Sequence, residues 1–178
     1  MRPELLAIAT PVVAGVHAAG VRGAAWALVV SVSAGVIPYV DARRRPIQPG
    51  AKSPQQVGVA LISILGGLTI TGVAVLTRAA PQEVLATHMA LLAVAIAIAL
   101  ISGWRKWDIS IHSATTATCA VIVFQEFGSP LVLAPALALL VTTTAWSRIH
   151  QGHHRASECL AGLTLGGTTS WMIYHLIT

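Results

Sequence analysis

Long apolar runs alternate with short polar breaks along the chain. Each later run has about 20 residues, the length that a helix needs to cross the hydrocarbon core of a bilayer. The runs lack the barrel-like alternation of apolar and polar positions, so helices are the predicted spanning elements. The predicted fold is all-α, a polytopic membrane helical bundle of about six transmembrane helices in a single integral membrane domain over residues 1–178. The later runs are Val57–Thr77, Val84–Gly103, Ile109–Phe127, Leu131–Trp146 and Glu158–Ile177.

The N-terminal region is less regular than the rest. An apolar stretch over residues 5–21 contains Pro11, Gly15 and Gly20, and a second apolar run over residues 24–40 follows Arg22. A charge at the bilayer centre costs ~3 kcal/mol, which favours placing Arg22 near a surface or towards the bundle interior. The pattern leaves two alternatives open: one long tilted helix over residues 5–40, or an interfacial segment over residues 5–21 followed by a span. The predicted number of six transmembrane helices assumes that residues 5–40 cross the membrane once.

Composition supports a membrane location. The chain is 55% hydrophobic and 10% charged, whereas a soluble domain carries roughly 25% charged residues. Its net charge of +5 comes from basic residues that lie between apolar runs, so phospholipid headgroups and phosphate ligands are expected partners, and nucleic acid is not. Cys119 and Cys159 lie in apolar segments and are predicted to be small buried thiols.

The order of the runs predicts which polar segments share a membrane face. Segments 41–56, 103–110 and 147–157 are separated by pairs of predicted spans, so they are expected on one face, as a single active site requires. The short connections 78–83 and 128–130 fall on the other face. Basic residues concentrate on the first face, and the positive-inside rule then places that face in the cytoplasm of a multi-pass cell-membrane protein.

The segment 147–157 and the residue after it carry the strongest chemical pattern, Ser147-Arg148-x5-His154-x3-Glu158. Arginine offers a planar fork that matches phosphate oxygens. Histidine offers a nitrogen that can attack or shuttle protons near neutral pH. A carboxylate four residues after His154 can hold its other ring nitrogen and fix the tautomer. The pattern predicts a phosphate site at this face.

Two further fragments lie on the predicted face: the run Arg43-Arg44-Arg45-Pro46, and Ser110 and His112 at the start of a helix. The three fragments together resemble the signature of the type 2 phosphatidic acid phosphatase superfamily, which includes vanadium haloperoxidases. That signature reads Lys-x6-Arg-Pro, Pro-Ser-Gly-His and Ser-Arg-x5-His-x3-Asp. The resemblance covers roughly residues 39–175, and the short, multi-spanning chain looks like the small actinobacterial-type membrane members.

The chain departs from the family pattern in each fragment. Glu158 replaces the family's aspartate, and the extra methylene changes the reach of the carboxylate. Ile109 and Ile111 stand where the family has proline and glycine around the serine. The first fragment keeps Arg45-Pro46, but its lysine position falls on Pro38. Arg43, Arg44 or Lys52 are the available replacements for that charge.

The resemblance implies an activity and a role for each matched residue. The expected activity is hydrolysis of a lipid phosphate or diphosphate, prenyl or glycerolipid, through a phosphohistidine intermediate. His154 is the implied nucleophile, Glu158 its orienting acid and His112 the general acid and base. No metal or cofactor is implied. The implied phosphate ligands are Arg148, Arg45, Arg44, Ser110 and Ser147.

Three other functions remain open from the sequence. A prenyl-diphosphate-ionising terpene cyclase would use the same site and would release a rearranged hydrocarbon instead of a linear alcohol. A histidine-cluster membrane metalloenzyme would use His150, His153 and His154 with Glu158, and purified protein would then contain stoichiometric metal. A non-catalytic lipid-phosphate binder would release no phosphate from any lipid. The oligomeric state and the identity of the lipid are not determined by the sequence.

Overall fold

The computed structural model of the protein describes residues 3–32, Val36, Val40 and residues 54–105, 107–128 and 131–178. These residues form six α-helices and contain no strand, which confirms the predicted all-α class. The helices are α1 (Pro3–Ser31), α2 (Pro54–Thr77), α3 (Gln82–Arg105), α4 (Ile111–Phe127), α5 (Leu133–His150) and α6 (Ala156–Ile177).

Two of the described helices are long and apolar enough to cross a membrane by length and composition alone. They are the segments Leu5–Ser31 of α1 and Gln82–Ser102 of α3, while Leu61–Thr77 of α2 is a shorter apolar helix. The membrane prediction is therefore supported, and the predicted number of about six crossings is not settled by helix length.

Helix α1 folds back on itself. Its backbone leaves the helical region at Ala19 (φ −146°, ψ 24°) and at Gly20, which has φ 55°. Beyond this reversal, the hydroxyl of Ser31 donates to the carbonyl of Ile8 across 3.2 Å. In a straight helix these two residues would lie about 35 Å apart. One straight helix through residues 5–31 is therefore excluded, and α1 is an antiparallel hairpin of two arms.

Glycines allow the two arms of α1 to touch. A Cβ added to Gly15 or to Gly23 would collide with the backbone carbonyl of the other glycine. Such close backbone contact is the usual role of small residues between helices in lipid. The pattern of glycines is visible in the sequence, but the contact that they make is tertiary.

The hairpin has a defined direction in the bundle. The ring of His17 lies 4.5 Å from that of Phe127, and Thr10 hydrogen-bonds Cys119, so the first arm runs parallel to α4. At the reversal, Arg22 donates to the carbonyl of Ala79 across 2.7 Å. We call the end of the bundle that carries residues 78–81 and Gly128 the turn end, and the end that carries residues 107–110 and 151–155 the polar end.

The helices α4 and α6 form the tightest pair. A Cβ on Gly166 would meet the backbone of Ala114, and a Cβ on Gly162 would meet the backbone of Ser110. At the polar end, the amide of Ser110 donates to the carbonyl of Glu158 across 3.2 Å. This direct backbone contact fixes the start of α4 against the first turn of α6.

Helix α5 differs from its prediction at one end. The sequence pattern predicts a polar loop from Ser147, but α5 continues through His150, so Ser147 and Arg148 lie on its last turn. That loop prediction is wrong at its start because basic side chains are favourable at a helix C-terminus, where the macrodipole is negative. Both predicted thiols, Cys119 and Cys159, are free and buried as expected.

Candidate active site

The connection between α5 and α6 places the histidines of the third fragment. Gly152 has φ 68°, a conformation that glycine adopts readily. Its amide donates to the carbonyl of Ile149 across 3.0 Å, and the amide of His153 donates to the carbonyl of Arg148 across 3.1 Å. These two bonds form a Schellman motif. The motif reverses the chain and places His154 back beside the last turn of α5.

His154 and Glu158 form the pair that their spacing predicts. His154 Nδ1 lies 3.2 Å from Glu158 Oε2, and their side chains are 10% and 16% exposed. Because an ionised carboxylate only accepts hydrogen bonds, Nδ1 carries the proton in the neutral ring. Nε2 is then the unprotonated nitrogen, which is the form required of a nucleophile or a base.

Glu158 has a second role at the same oxygen. Its Oε2 also accepts a hydrogen bond from the amide of Arg155 across 2.9 Å, which forms one half of a capping box at the start of α6. A capping box uses glutamate or glutamine at this helical position. Glutamate at this position therefore has a local explanation: it both caps α6 and reaches His154.

Ser110 and His112 lie at the start of α4. Ser110 is fully buried and is the N-cap residue, and its hydroxyl accepts hydrogen bonds from the amide and the hydroxyl of Ser113 at 3.4 and 3.1 Å. His112 is in the first turn, and its ring is half-buried at the polar end. The hydroxyl of Ser110 is thus engaged inside the protein, and its role as a phosphate ligand stays a prediction.

His112 and Arg148 are close enough to interact electrostatically. His154 also lies within electrostatic range of the His112 ring. Burial lowers the pKa of Arg148. The second and third fragments thus meet at the polar end, as the order of the helices predicts.

Two nitrogens in this group are buried and unpaired. They are Nδ1 of His112 and Nε of Arg148. A buried donor or acceptor without a partner costs about 1–3 kcal/mol, and such groups occur at sites that are completed by a ligand. A phosphate oxygen is an acceptor that would pair the Nε–H of Arg148 and neutralise its charge.

The other residues predicted for the site lie in different surroundings or outside the described residues. Ser147 accepts a hydrogen bond from the side chain of Gln151 across 3.1 Å, on the last turn of α5. The ring of His150 stacks on Trp146 with centroids 5.0 Å apart. Arg44 and Arg45 lie outside the described residues, so their distance from His154 stays untested.

Sequence reasoning overlooked two features of this region. His153 also contributes to the electrostatic environment of His112, although its position in the histidine run gave no distinct signal. The glycines that hold α6 against α4 form the pattern Gly162-x3-Gly166, a known close-packing motif of membrane helices. That motif was readable in the sequence.

No three histidine, cysteine, aspartate or glutamate side chains come together as a metal site within the described residues. Comparisons with protein-family models, with curated proteins and with solved structures find no match to this chain. Its function therefore has to be argued from the geometry of the site.

Proposed function

We propose that the protein is a multi-pass membrane lipid phosphatase that uses His154 as a nucleophile at the polar end of the bundle. The observation that carries the proposal is the contact of 3.2 Å between His154 Nδ1 and Glu158 Oε2, next to the unpaired buried nitrogens of Arg148 and His112. An oriented imidazole beside an unsatisfied guanidinium suits a phosphoryl group, which needs fixed positive charge around its equatorial oxygens.

The reaction follows from these groups. Arg148 binds the phosphoryl oxygens, and Nε2 of His154 attacks phosphorus in line with the departing alkoxide. Glu158 stabilises the positive charge that develops on the imidazole. His112 protonates the alkoxide, the P–O bond breaks, and the lipid alcohol leaves. Water then attacks the phosphohistidine, with His112 taking its proton, and inorganic phosphate is released.

His112 can act as an acid once the substrate is bound. A phosphate dianion beside the ring favours its charged form, as any nearby opposite charge does. The ring takes a proton from water and gives it to the leaving alkoxide, and the neutral ring that remains is ready to act as the base for water.

The surface of the bundle supports a membrane location. Large apolar side chains are exposed around the described helices, among them Leu65 at 61%, Leu100 at 67%, Leu139 at 65% and Leu160 at 61%. A soluble monomer rarely exposes so much apolar surface without a partner. With α3 long enough to span as one helix, we propose that the other helices cross as well, with the polar end towards the cytoplasm because basic residues concentrate there.

Phosphate release from purified protein tests the proposal. We expect inorganic phosphate and a linear alcohol from a prenyl or glycerolipid phosphate, with full activity in the presence of a metal chelator. His154→Ala should lower the rate by at least ~10³-fold, since it removes the atom that forms the covalent intermediate.

His150→Ala is the matched control for this substitution, because His150 lies on the exposed face of α5 against Trp146, and it should retain near-normal turnover. Incubation with labelled substrate followed by an alkaline quench should trap phosphate on the wild-type protein but not on His154→Ala. Normal turnover by His154→Ala would reject the proposed mechanism, and a cyclised product would identify a terpene cyclase.

A further inference from the structure

Ser110 is one of the phosphate ligands that the resemblance implies, but the structure buries it completely. Its side chain has no exposed surface, and neither has that of Ser113 beside it. Both lie where the start of α4 packs against α6, since a Cβ on Gly162 would meet the carbonyl of Ser110 and the side chain of Ser113. A phosphate bound to Arg148 would therefore touch Ser110 only if this contact between helices opened.

The polar groups of Ser110 all have partners within the protein. Its amide donates to the carbonyl of Glu158 across 3.2 Å, and its carbonyl accepts from the amide of Ala114 across 3.0 Å. Its hydroxyl oxygen accepts from the amide and the hydroxyl of Ser113 at 3.4 and 3.1 Å. The bond to Glu158 joins α4 to α6, and the bond from the Ser113 amide caps the first turn of α4.

The position of His112 depends on this cap. His112 lies two residues after Ser110, in the turn that the cap closes, and its Nδ1 is buried without a hydrogen-bond partner. By contrast, the ring of His154 is held at Nδ1 by Glu158. Because no such bond holds Nδ1 of His112, its ring is placed by the backbone of the first turn of α4 and by the packing around it.

We propose that Ser110 is a positioning residue that acts through His112. Its hydroxyl holds the first turn of α4 in place, and its amide fixes that turn relative to Glu158, whose carboxylate orients the nucleophile. The inference rests on the proposed function and gives Ser110 an indirect role instead of a contact with phosphate. Ser110 then affects proton transfer to the departing oxygen and leaves the binding of phosphate unchanged.

This role predicts a dependence on the leaving group. When the P–O bond of an alkyl phosphate breaks, the alkoxide needs the proton of His112, so a displaced ring slows this step. A nitrophenolate is stable without that proton and leaves unaided. General acid catalysis contributes roughly 10²–10⁴-fold, and loss of the cap should remove part of this factor for the alkyl ester alone.

The test compares two phosphate monoesters that carry the same hydrocarbon chain: hexadecyl phosphate, and the phosphate of a nitrophenol that bears a hexadecyl chain. The measured quantity is kcat/KM of the full-length protein, because it covers the steps up to release of the alcohol and omits the later attack of water. Ser110→Ala should lower kcat/KM by about 10–100-fold for the alkyl ester and by less than about 3-fold for the aryl ester. The inhibition constant for inorganic phosphate should stay within about 2-fold of wild type.

Further variants separate this role from a loss of stability. Ser170→Ala removes an equally buried serine, whose hydroxyl donates to the carbonyl of Gly166 within α6, and it should leave the ratio between the two esters unchanged. Adding Ser110→Ala to His112→Ala should cause no further loss with the alkyl ester, because the group through which Ser110 acts is already absent. If Ser110→Ala does not fold, Ser110→Gly replaces it, since glycine also lacks the hydroxyl and is tolerated better than alanine at an N-cap.

The outcomes separate this inference from the proposed activity. Equal losses with both esters, or wild-type values with both, would show that Ser110 does not act through His112 and would overturn the inference. A rise of at least ~10-fold in the inhibition constant for phosphate would show that the hydroxyl binds phosphate, and would overturn it as well. In these cases the wild-type protein still releases phosphate, so the proposed function stands. Absence of phosphate release by the wild type from either ester would reject the proposed function and, with it, the inference.

Discussion

Helices α4 and α6 pack closely, whereas α5 and α6 pack loosely over most of their length. Gly162 and Gly166 bring the backbones of α4 and α6 together, and the amide of Ser110 bonds directly to Glu158. Between α5 and α6 the helices separate below Ala145 and leave a groove of about 440 Å³. The close pair fixes His112 relative to Glu158, while the helix that carries Arg148 is attached mainly at its polar end.

The two contacts place different parts of the proposed site. His112 and Glu158 lie on the close pair, where their positions depend on backbone contacts. Arg148 lies on α5, which is attached mainly at its polar end. Under the proposed function, the orientation of the nucleophile and the binding of phosphate therefore depend on different helix pairs.

Substitution of Gly166 should have the largest effect on stability, because Gly166 lies where the backbones of α4 and α6 touch. Gly166→Leu should prevent recovery of folded protein, because its side chain would occupy the backbone of Ala114. The milder Gly166→Ala should lower the free energy of unfolding by about 1–3 kcal/mol. Gly167 is the matched control, since no atom lies within 4 Å of a Cβ built there, and Gly167→Ala should stabilise the helix by roughly 0.5–1 kcal/mol.

The measurement is denaturant-induced unfolding in detergent, followed by circular dichroism. Equal stability of Gly166→Ala and Gly167→Ala would show that α4 and α6 do not depend on close packing.

Arg148→Lys should affect activity and leave the fold intact. A lysine ammonium keeps the charge but loses the bidentate fork, so we expect kcat/KM for phosphate release to fall by about 10–100-fold. Arg155→Lys is the control. Arg155 is exposed, and its backbone amide, which the substitution keeps, donates to Glu158 at the start of α6. Equal losses in the two variants would contradict the assignment of Arg148 as the phosphate ligand.

The helices and the meeting of two polar fragments could be predicted from the sequence. Apolar runs of membrane length located α2 to α6 within a few residues, because few other structures satisfy such a long apolar backbone. The order of the runs was enough to bring Ser110 close to Glu158, and the spacing of four residues was enough to pair His154 with Glu158.

Other features depend on contacts that no local pattern contains. The reversal at Gly20 is stabilised by Gly15 against Gly23 and by Ser31 against Ile8, and an apolar run with scattered glycines reads equally well as a bent helix. The groove beside α5 depends on which faces of three helices meet. The contribution of Arg45 stays a prediction because it lies outside the described residues.

In the proposed arrangement, in which every helix crosses the bilayer, the fold-back of α1 decides whether the number of crossings is odd or even. A single pass through residues 5–40 would give an even number. Two antiparallel arms that both cross would give an odd number. The start of α1 would then share a compartment with His154, while Thr178 at the end of α6 would lie in the opposite compartment.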